Sequence, residues 1–313
     1  MPVYWSNPVQ HAFSMNFHIR KPFKRLIIAA FLILLLTQLT SGCFQFRMSE
    51  SEVYEYFKDT GQQPSLKSYT IDGRTIYFAD IGKETSQMVI FFHGAPGSWS
   101  SFIAFMSDKE LLENFRLISV DRPGYGYSDF GKAEPSLLRQ AELIKPVLEL
   151  NRSDKLPILV GHSLGGPVIA KIAMQFPELV GGVIMVAASI DPELEPSEYW
   201  RGLLRMSLLN WMVPRSLRVT NDEIYFLKQE LKHMLLYWKD IRIPVTVIQG
   251  GNDSLVNPMN AVFAERMLVN ATVDIRYYEK FNHFIPWNNP QLIKEAILDM
   301  GSVKSVYDDI TSN

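Results

Sequence analysis

The chain has 313 residues, 47% of them hydrophobic, enough for one sizeable core or for one domain carrying an insertion. Its 31 Lys and Arg against 33 Asp and Glu leave a net charge of −2, which gives no sign of nucleic-acid binding. A single cysteine, Cys43, excludes an intrachain disulfide.

In chain order, Arg20, Lys21, Lys24 and Arg25 precede the apolar run Leu26 to Leu36, and the first acidic residue is Glu50. A basic stretch followed by an apolar run of this length reads as a signal peptide or short anchor over residues 1–43. A full membrane span wants about 20 apolar residues, and Thr37, Gln38 and Thr40 dilute this run early. The following Leu39-Thr40-Ser41-Gly42-Cys43 resembles a bacterial lipobox, departing from it at Thr40. That resemblance implies lipidation at Cys43, a membrane partner through the N-terminal anchor, and a place in the bacterial cell envelope. Met15 offers an alternative start that gives a signal peptide of more ordinary length.

Residues 44–65, rich in Glu, Ser, Gln and Gly, read as a polar tether with some helix. Two β-rich runs, Ser68 to Ile71 and Thr75 to Ala79, flank Asp72-Gly73, a strong hairpin signal. Met88 to Phe92 is a continuous apolar strand that runs into His93-Gly94-Ala95-Pro96-Gly97. Residues 99–113 read as one helix, Phe115 to Val120 as a buried strand, and Ser136 to Leu150 as a helix of period 3.6. Ile158 to Val160 then leads into Gly161-His162-Ser163-Leu164-Gly165-Gly166, and the chain continues as a helix. Further apolar strands are expected at Gly182 to Ala187, Val245 to Ile248 and Val273 to Tyr278, with a helix from Pro290. Continuous apolar strands alternating with helices predict an α/β fold with a parallel sheet covered on both faces.

Residues 189–240 break this alternation. Helical patterns at Glu198 to Met212 and at Thr220 to Trp238, the latter opening with a Thr220-x-x-Glu223 capping box, predict a helical lid. The core is therefore expected in two parts, 66–188 and 241–313.

A strand, Gly-x-Ser-x-Gly, then a helix is the arrangement that lifts a serine hydroxyl to the edge of a sheet, which makes Ser163 the candidate nucleophile. Its hydroxyl needs a base, and the base needs an orienting acid. Of six histidines, His283 stands on the loop after the last expected strand. His11 and His18 lie in the signal region, His233 in the lid, His162 beside the serine, and His93 in a loop that positions backbone. Asp253, in Gly250-Gly251-Asn252-Asp253, follows the preceding strand and completes the order Ser…Asp…His, with Asp191 as runner-up. The N–H groups of Ala95 and Leu164 are the candidate oxyanion donors. No cofactor or metal is called for, there being no HExxH, Cys/His cluster or P-loop.

Jointly, the stretches at His93–Gly97, Asp121–Ser128, Gly161–Gly166, Gly251–Asp253 and His283–Trp287 resemble the α/β-hydrolase superfamily over roughly residues 66–300. The resemblance implies an α/β-hydrolase fold: a mostly parallel eight-stranded sheet with helices on both faces and a lid between the sixth and seventh strands. It implies that Asp121–Ser128 is a structural turn, and that a small-molecule ester or other acyl compound is the substrate of an esterase- or lipase-like enzyme. Relatives with an Asp nucleophile are epoxide hydrolases and haloalkane dehalogenases, activities that Ser163 argues against. A proline-iminopeptidase-like aminopeptidase using Glu193, Glu195 or Glu198 is one alternative. A non-catalytic, membrane-tethered binding protein is another.

Overall fold

The computed structural model describes residues 46–206, 210 and 213–302. The expected signal segment, Cys43 and the lid residues Leu208, Trp211 and Met212 lie outside them.

The described chain begins with helix α1 (Glu50–Phe57) and the hairpin β1 (Ser65–Ile71) and β2 (Arg74–Ile81). Strand β3 (Gln87–Phe92), helices α2 (Ile103–Met106) and α3 (Lys109–Asn114), and strand β4 (Phe115–Val120) follow. Helix α4 (Leu137–Leu148), β5 (Ile158–His162), α5 (Gly165–Gln175) and β6 (Gly182–Val186) complete the first part. Helices α6 (Trp200–Leu204) and α7 (Arg215–Met234) occupy the lid interval. The second part holds β7 (Val245–Gly250), α8 (Asn260–Met267), β8 (Val273–Tyr278), α9 (Ile285–Asn288) and α10 (Pro290–Ser302).

One eight-stranded sheet runs in the order β1-β2-β4-β3-β5-β6-β7-β8. The β1–β2 and β2–β4 pairs are antiparallel and the others parallel. The hairpin turns at Asp72 and Gly73, with φ of 49° and 71°. Positive φ at both central residues is what a type I′ turn requires, and Asp-Gly supplies it at low cost. The two-residue side-chain period of β3 divides the core. Met88, Ile90 and Phe92 face one apolar layer with α4 and α5, while Val89 and Phe91 face another with Trp99, Phe102 and α10. Burial on both faces is why the central strands read as unbroken apolar runs.

Three local expectations are corrected. The single helix over 99–113 is divided: Asp108 accepts from the Leu111 N–H at 3.0 Å and so starts α3 afresh. The tether is docked from Arg47 onward. Ser49 and Glu52 form a capping box on α1, whose Val53 and Phe57 are buried in the core. Burying each such side chain contributes about 1.5–3 kcal/mol, enough to hold a two-turn helix on the body. The Arg47 guanidinium lies 4.2 Å above the Tyr127 ring, and the Tyr127 hydroxyl donates to the Met48 carbonyl.

The lid is the third. Helix α7 starts after Pro214, five residues before Thr220, so Thr220-x-x-Glu223 is no capping box. The Thr220 hydroxyl instead donates back to the Ser216 carbonyl at 2.9 Å, inside the helix, which frees the Glu223 carboxylate for another partner. Helix α6 covers Trp200–Leu204 of the expected Glu198–Met212 helix, whose residues 207–209, 211 and 212 lie outside the described residues.

A buried ion pair fixes β2 to β4. Arg116 Nε and Nη2 donate to the two oxygens of Asp80 at 2.9 and 2.7 Å, and both residues are at least 94% buried. Lys67 adds a half-exposed contact at 2.8 Å.

Candidate active site

At the carboxyl end of β5 the chain turns at once into α5, with Ser163 at the corner. Its φ is 52°, a left-handed conformation that a serine adopts only when the surroundings impose it. They do so from both sides: the Ser163 N–H donates to the Val186 carbonyl, and the Ser163 carbonyl accepts from Gly166, each at 2.9 Å. Gly165 is required for close approach, because a Cβ there would stand 2.2 Å from the Phe92 carbonyl oxygen. Leu164 occupies the N-cap position of α5, where helix geometry leaves its N–H without an intrahelical acceptor.

The loops after β7 and β8 bring the expected acid and base together. Between His283 Nδ1 and Asp253 Oδ2 the distance is 2.8 Å. The other Asp253 oxygen accepts the N–H groups of Leu255 and Val256, both at 2.9 Å. Burial alone would raise the Asp253 carboxyl. The His283 bond and these two donors outweigh it and hold the group below its ordinary value. An ionised Asp253 accepts from Nδ1–H, which leaves Nε2 as the basic nitrogen.

His162, immediately before Ser163, carries the His283 loop. Its Nε2 donates to the His283 carbonyl at 3.0 Å, the two rings lie 4.7 Å apart, and Trp287 packs edge-on at 5.3 Å. Burial, with His283 nearby, pushes the His162 ring down to about 3, so it stays neutral. The runner-up acid, Asp191, is engaged elsewhere: its N–H donates to Asn260, and its carboxylate accepts the Glu193 N–H.

The loop after β3 closes the site. A Cβ on Gly94 would stand 3.1 Å from Ser163 Cβ, so this backbone lies against Ser163. His93 is fully buried, with Nδ1 donating to the Gly94 carbonyl at 2.6 Å and Nε2 accepting the Arg122 N–H at 3.0 Å. Burial and the Arg122 guanidinium keep that imidazole neutral.

Two buried neighbours of the site escaped the sequence reading. Arg122 stood inside a motif read as a turn, and Glu223 was read as a cap. In the structure they form a buried bidentate pair at 2.8 and 3.0 Å. The Glu223 carboxylate also accepts from Tyr125 at 2.8 Å and Gln140 at 3.0 Å. Its one sequence-level signal is an acid flanked by apolar positions in a buried helix, which does not name a partner.

Asp121 joins the Trp99 and Tyr127 loops by accepting both N–H groups, at 2.6 and 2.7 Å. Burial pushes its carboxyl up to about 7, against those donors and Arg47, which favour the charge. Between its ordinary 3.8 and about 7 the folded protein holds a proton that the unfolded chain has lost. The stability this group contributes is therefore full below 3.8 and lost as pH rises through about 7. The thermal midpoint is expected to fall more steeply from pH 5 to 8 in the wild type than in Asp121→Asn. Parallel slopes in the two melting series would refute this assignment.

The model of the alpha/beta hydrolase fold family matches residues 87–212. A curated relative, the dihydrolipoyllysine-residue acetyltransferase component of the acetoin cleaving system of Pseudomonas putida, is 25% identical over 195 residues. The match covers 61% of this chain and 51% of that protein. The chain thus spans about half the length of the curated relatives it matches, a second being the uncharacterized hydrolase YugF of Bacillus subtilis (29% identical, 40% of this chain, 45% of that protein). Among solved structures, a membrane phospholipase A aligns over 90% of this chain and 100% of its own, with 16% identity and a TM-score of 0.60. At such identity the likeness is one of fold. Sheet order, helical cover and the family model together give this chain the α/β-hydrolase fold.

Proposed function

We propose that the protein is a serine hydrolase that cleaves a carboxylic ester, or a related acyl bond, through an acyl-enzyme intermediate. The observation that carries this reading is the buried His283–Asp253 pair at 2.8 Å, packed through His162 against the Ser163 turn. In the first half-reaction Ser163 Oγ bonds to the acyl carbon while His283 Nε2 takes its proton. The carbonyl oxygen becomes an oxyanion facing the Ala95 and Leu164 N–H groups, and collapse expels the alcohol, which leaves with the proton from His283. Water repeats the sequence on the acyl-enzyme, freeing the acid and restoring Ser163. Exposed Leu255, Phe284 and Trp287 flank the loops that carry the acid and base, which suits a substrate with an apolar portion. Two of the three acids that an aminopeptidase would present are engaged otherwise, while Glu193 is exposed. Glu198 pairs with Arg201, and Glu195 accepts from the Ser189 hydroxyl.

Treating the protein with a fluorophosphonate probe tests the mechanism. Stoichiometric labelling is expected in the wild type and none in Ser163→Ala, together with hydrolysis of p-nitrophenyl esters by the wild type alone. Wild-type protein that folds yet neither labels nor turns over any ester would remove the serine-hydrolase reading.

A further inference from the structure

The Arg122 guanidinium is 99% buried and reaches two parts of the molecule at once. On one side Nε donates to the His93 carbonyl at 2.8 Å and Nη2 to the Gly94 carbonyl at 3.3 Å, both in the loop that lies against Ser163. On the other side Nη1 and Nη2 bind the Glu223 carboxylate of lid helix α7. The Gly94 carbonyl and the Ala95 N–H belong to one peptide group, and in a trans peptide its two ends point in opposite directions. Arg122 and His93 Nδ1 hold the oxygen end, so they also set where the N–H end points. We propose that Glu223 is a positioning residue for the oxyanion donor: by fixing the Arg122 guanidinium, the lid helix aims the Ala95 N–H at the developing charge.

The chemistry of the cluster supports a single geometry. A guanidinium is planar, and with its three nitrogens committed to two loop carbonyls and one carboxylate it cannot rotate without breaking several bonds together. The carboxylate is itself held, by the Tyr125 hydroxyl and the Gln140 amide. Without Glu223 the charged Arg122 would be buried with no counter-ion, and would move toward other acceptors or water. The Gly94–Ala95 peptide would then lose one of the two contacts that hold its oxygen, keeping only that of His93 Nδ1. A displaced donor acts on the transition state rather than on substrate docking, so the signature is a fall in kcat with KM nearly constant.

This inference rests on the serine-hydrolase reading, and the experiment separates the two. Full-length wild type, Ser163→Ala, Glu223→Gln, Glu223→Asp and Leu227→Ala are assayed on a p-nitrophenyl ester, with kcat expressed per site titrated by the fluorophosphonate. Leu227 lies one turn along α7, is buried, and packs in the apolar core. Glu223→Gln is expected to lower kcat about ten- to a hundredfold with KM within threefold. Glu223→Asp, which keeps the charge, should recover part of that loss. Leu227→Ala should lose melting temperature while its titrated sites turn over at the wild-type rate. Should Glu223→Gln not fold, Tyr125→Phe removes one anchor of the carboxylate and is expected to lower kcat about threefold at constant KM. Wild-type kcat per site in Glu223→Gln or, failing that, in Tyr125→Phe, or an equal loss in Leu227→Ala, overturns the proposal while a dead Ser163→Ala leaves the hydrolase standing. Turnover that survives in Ser163→Ala overturns both.

Discussion

His283→Ala is expected to lower kcat by about 10⁶, and Asp253→Asn by about 10⁴. The difference follows from the two roles. Without His283 no group near Ser163 takes its proton, and the neighbouring His162 is neutral with its Nε2 already donating to the His283 carbonyl. With Asn at 253 the ring stays in place, but the amide N–H₂ can donate to Nδ1 and so forces the proton onto Nε2, the wrong nitrogen for a base. Asp191→Asn is expected to keep kcat within a few-fold, because Asp191 holds its own loop at the Glu193 N–H. Steady-state kinetics on one ester, normalised to titrated sites, checks all three. Asp253→Asn retaining a tenth of the wild-type rate would refute the role given to that carboxylate.

The largest effect on stability is expected from Asp80→Ala, about 3–5 kcal/mol in urea unfolding. The change leaves the Arg116 guanidinium, 3% exposed, without the two bonds that compensate its burial. Replacing Asp80 and Arg116 together by apolar residues should cost much less than Asp80→Ala, since no uncompensated charge is left. The sign of the pH dependence also follows. Burial would raise the Asp80 carboxyl, but the bonds from Arg116 and Lys67 prevail and lower it. Its contribution is therefore present above the ordinary carboxylate value and is lost as pH falls through the lower, folded one. Asp121 acts in the opposite direction, its contribution fading as pH rises through about 7. A stability advantage of the wild type over Asp80→Ala that is large at pH 5 and shrinks as the pH is taken below the ordinary carboxylate range would carry the signature of this pair.

All eight strands, the hairpin turn and the Ser163 turn were legible because each is written in a short window: an apolar run, an Asp-Gly pair, a serine between glycines. Chain order and loop position also sufficed to nominate Asp253 and His283, although nothing in the sequence gives their 2.8 Å separation. The misreadings share a different cause. Thr220-x-x-Glu223 has the form of a helix start, yet Pro214 begins the helix earlier and the Glu223 carboxylate goes to Arg122, 101 residues away. The polar composition of residues 44–65 suggested a tether with some helix, and two residues, Val53 and Phe57, dock that helix on the body. Helix 99–113 divides because Asp108 caps a new turn, a choice that periodicity alone does not register. Local patterns thus identify elements. Long-range polar partners settle what the side chains on them do.

The lid interval lies between β6 and β7, the kind of insertion usually treated as an exchangeable accessory. Here the cation belongs to the body and its counter-ion to the insert, so the two are not separable parts. A lid grafted from a relative would need a carboxylate at the same height on its second helix, or would strand a guanidinium in the interior. Shortening the insert meets the same obstacle, unless Arg122 is replaced in the same step. What ties this insert to the body is the Arg122–Glu223 pair.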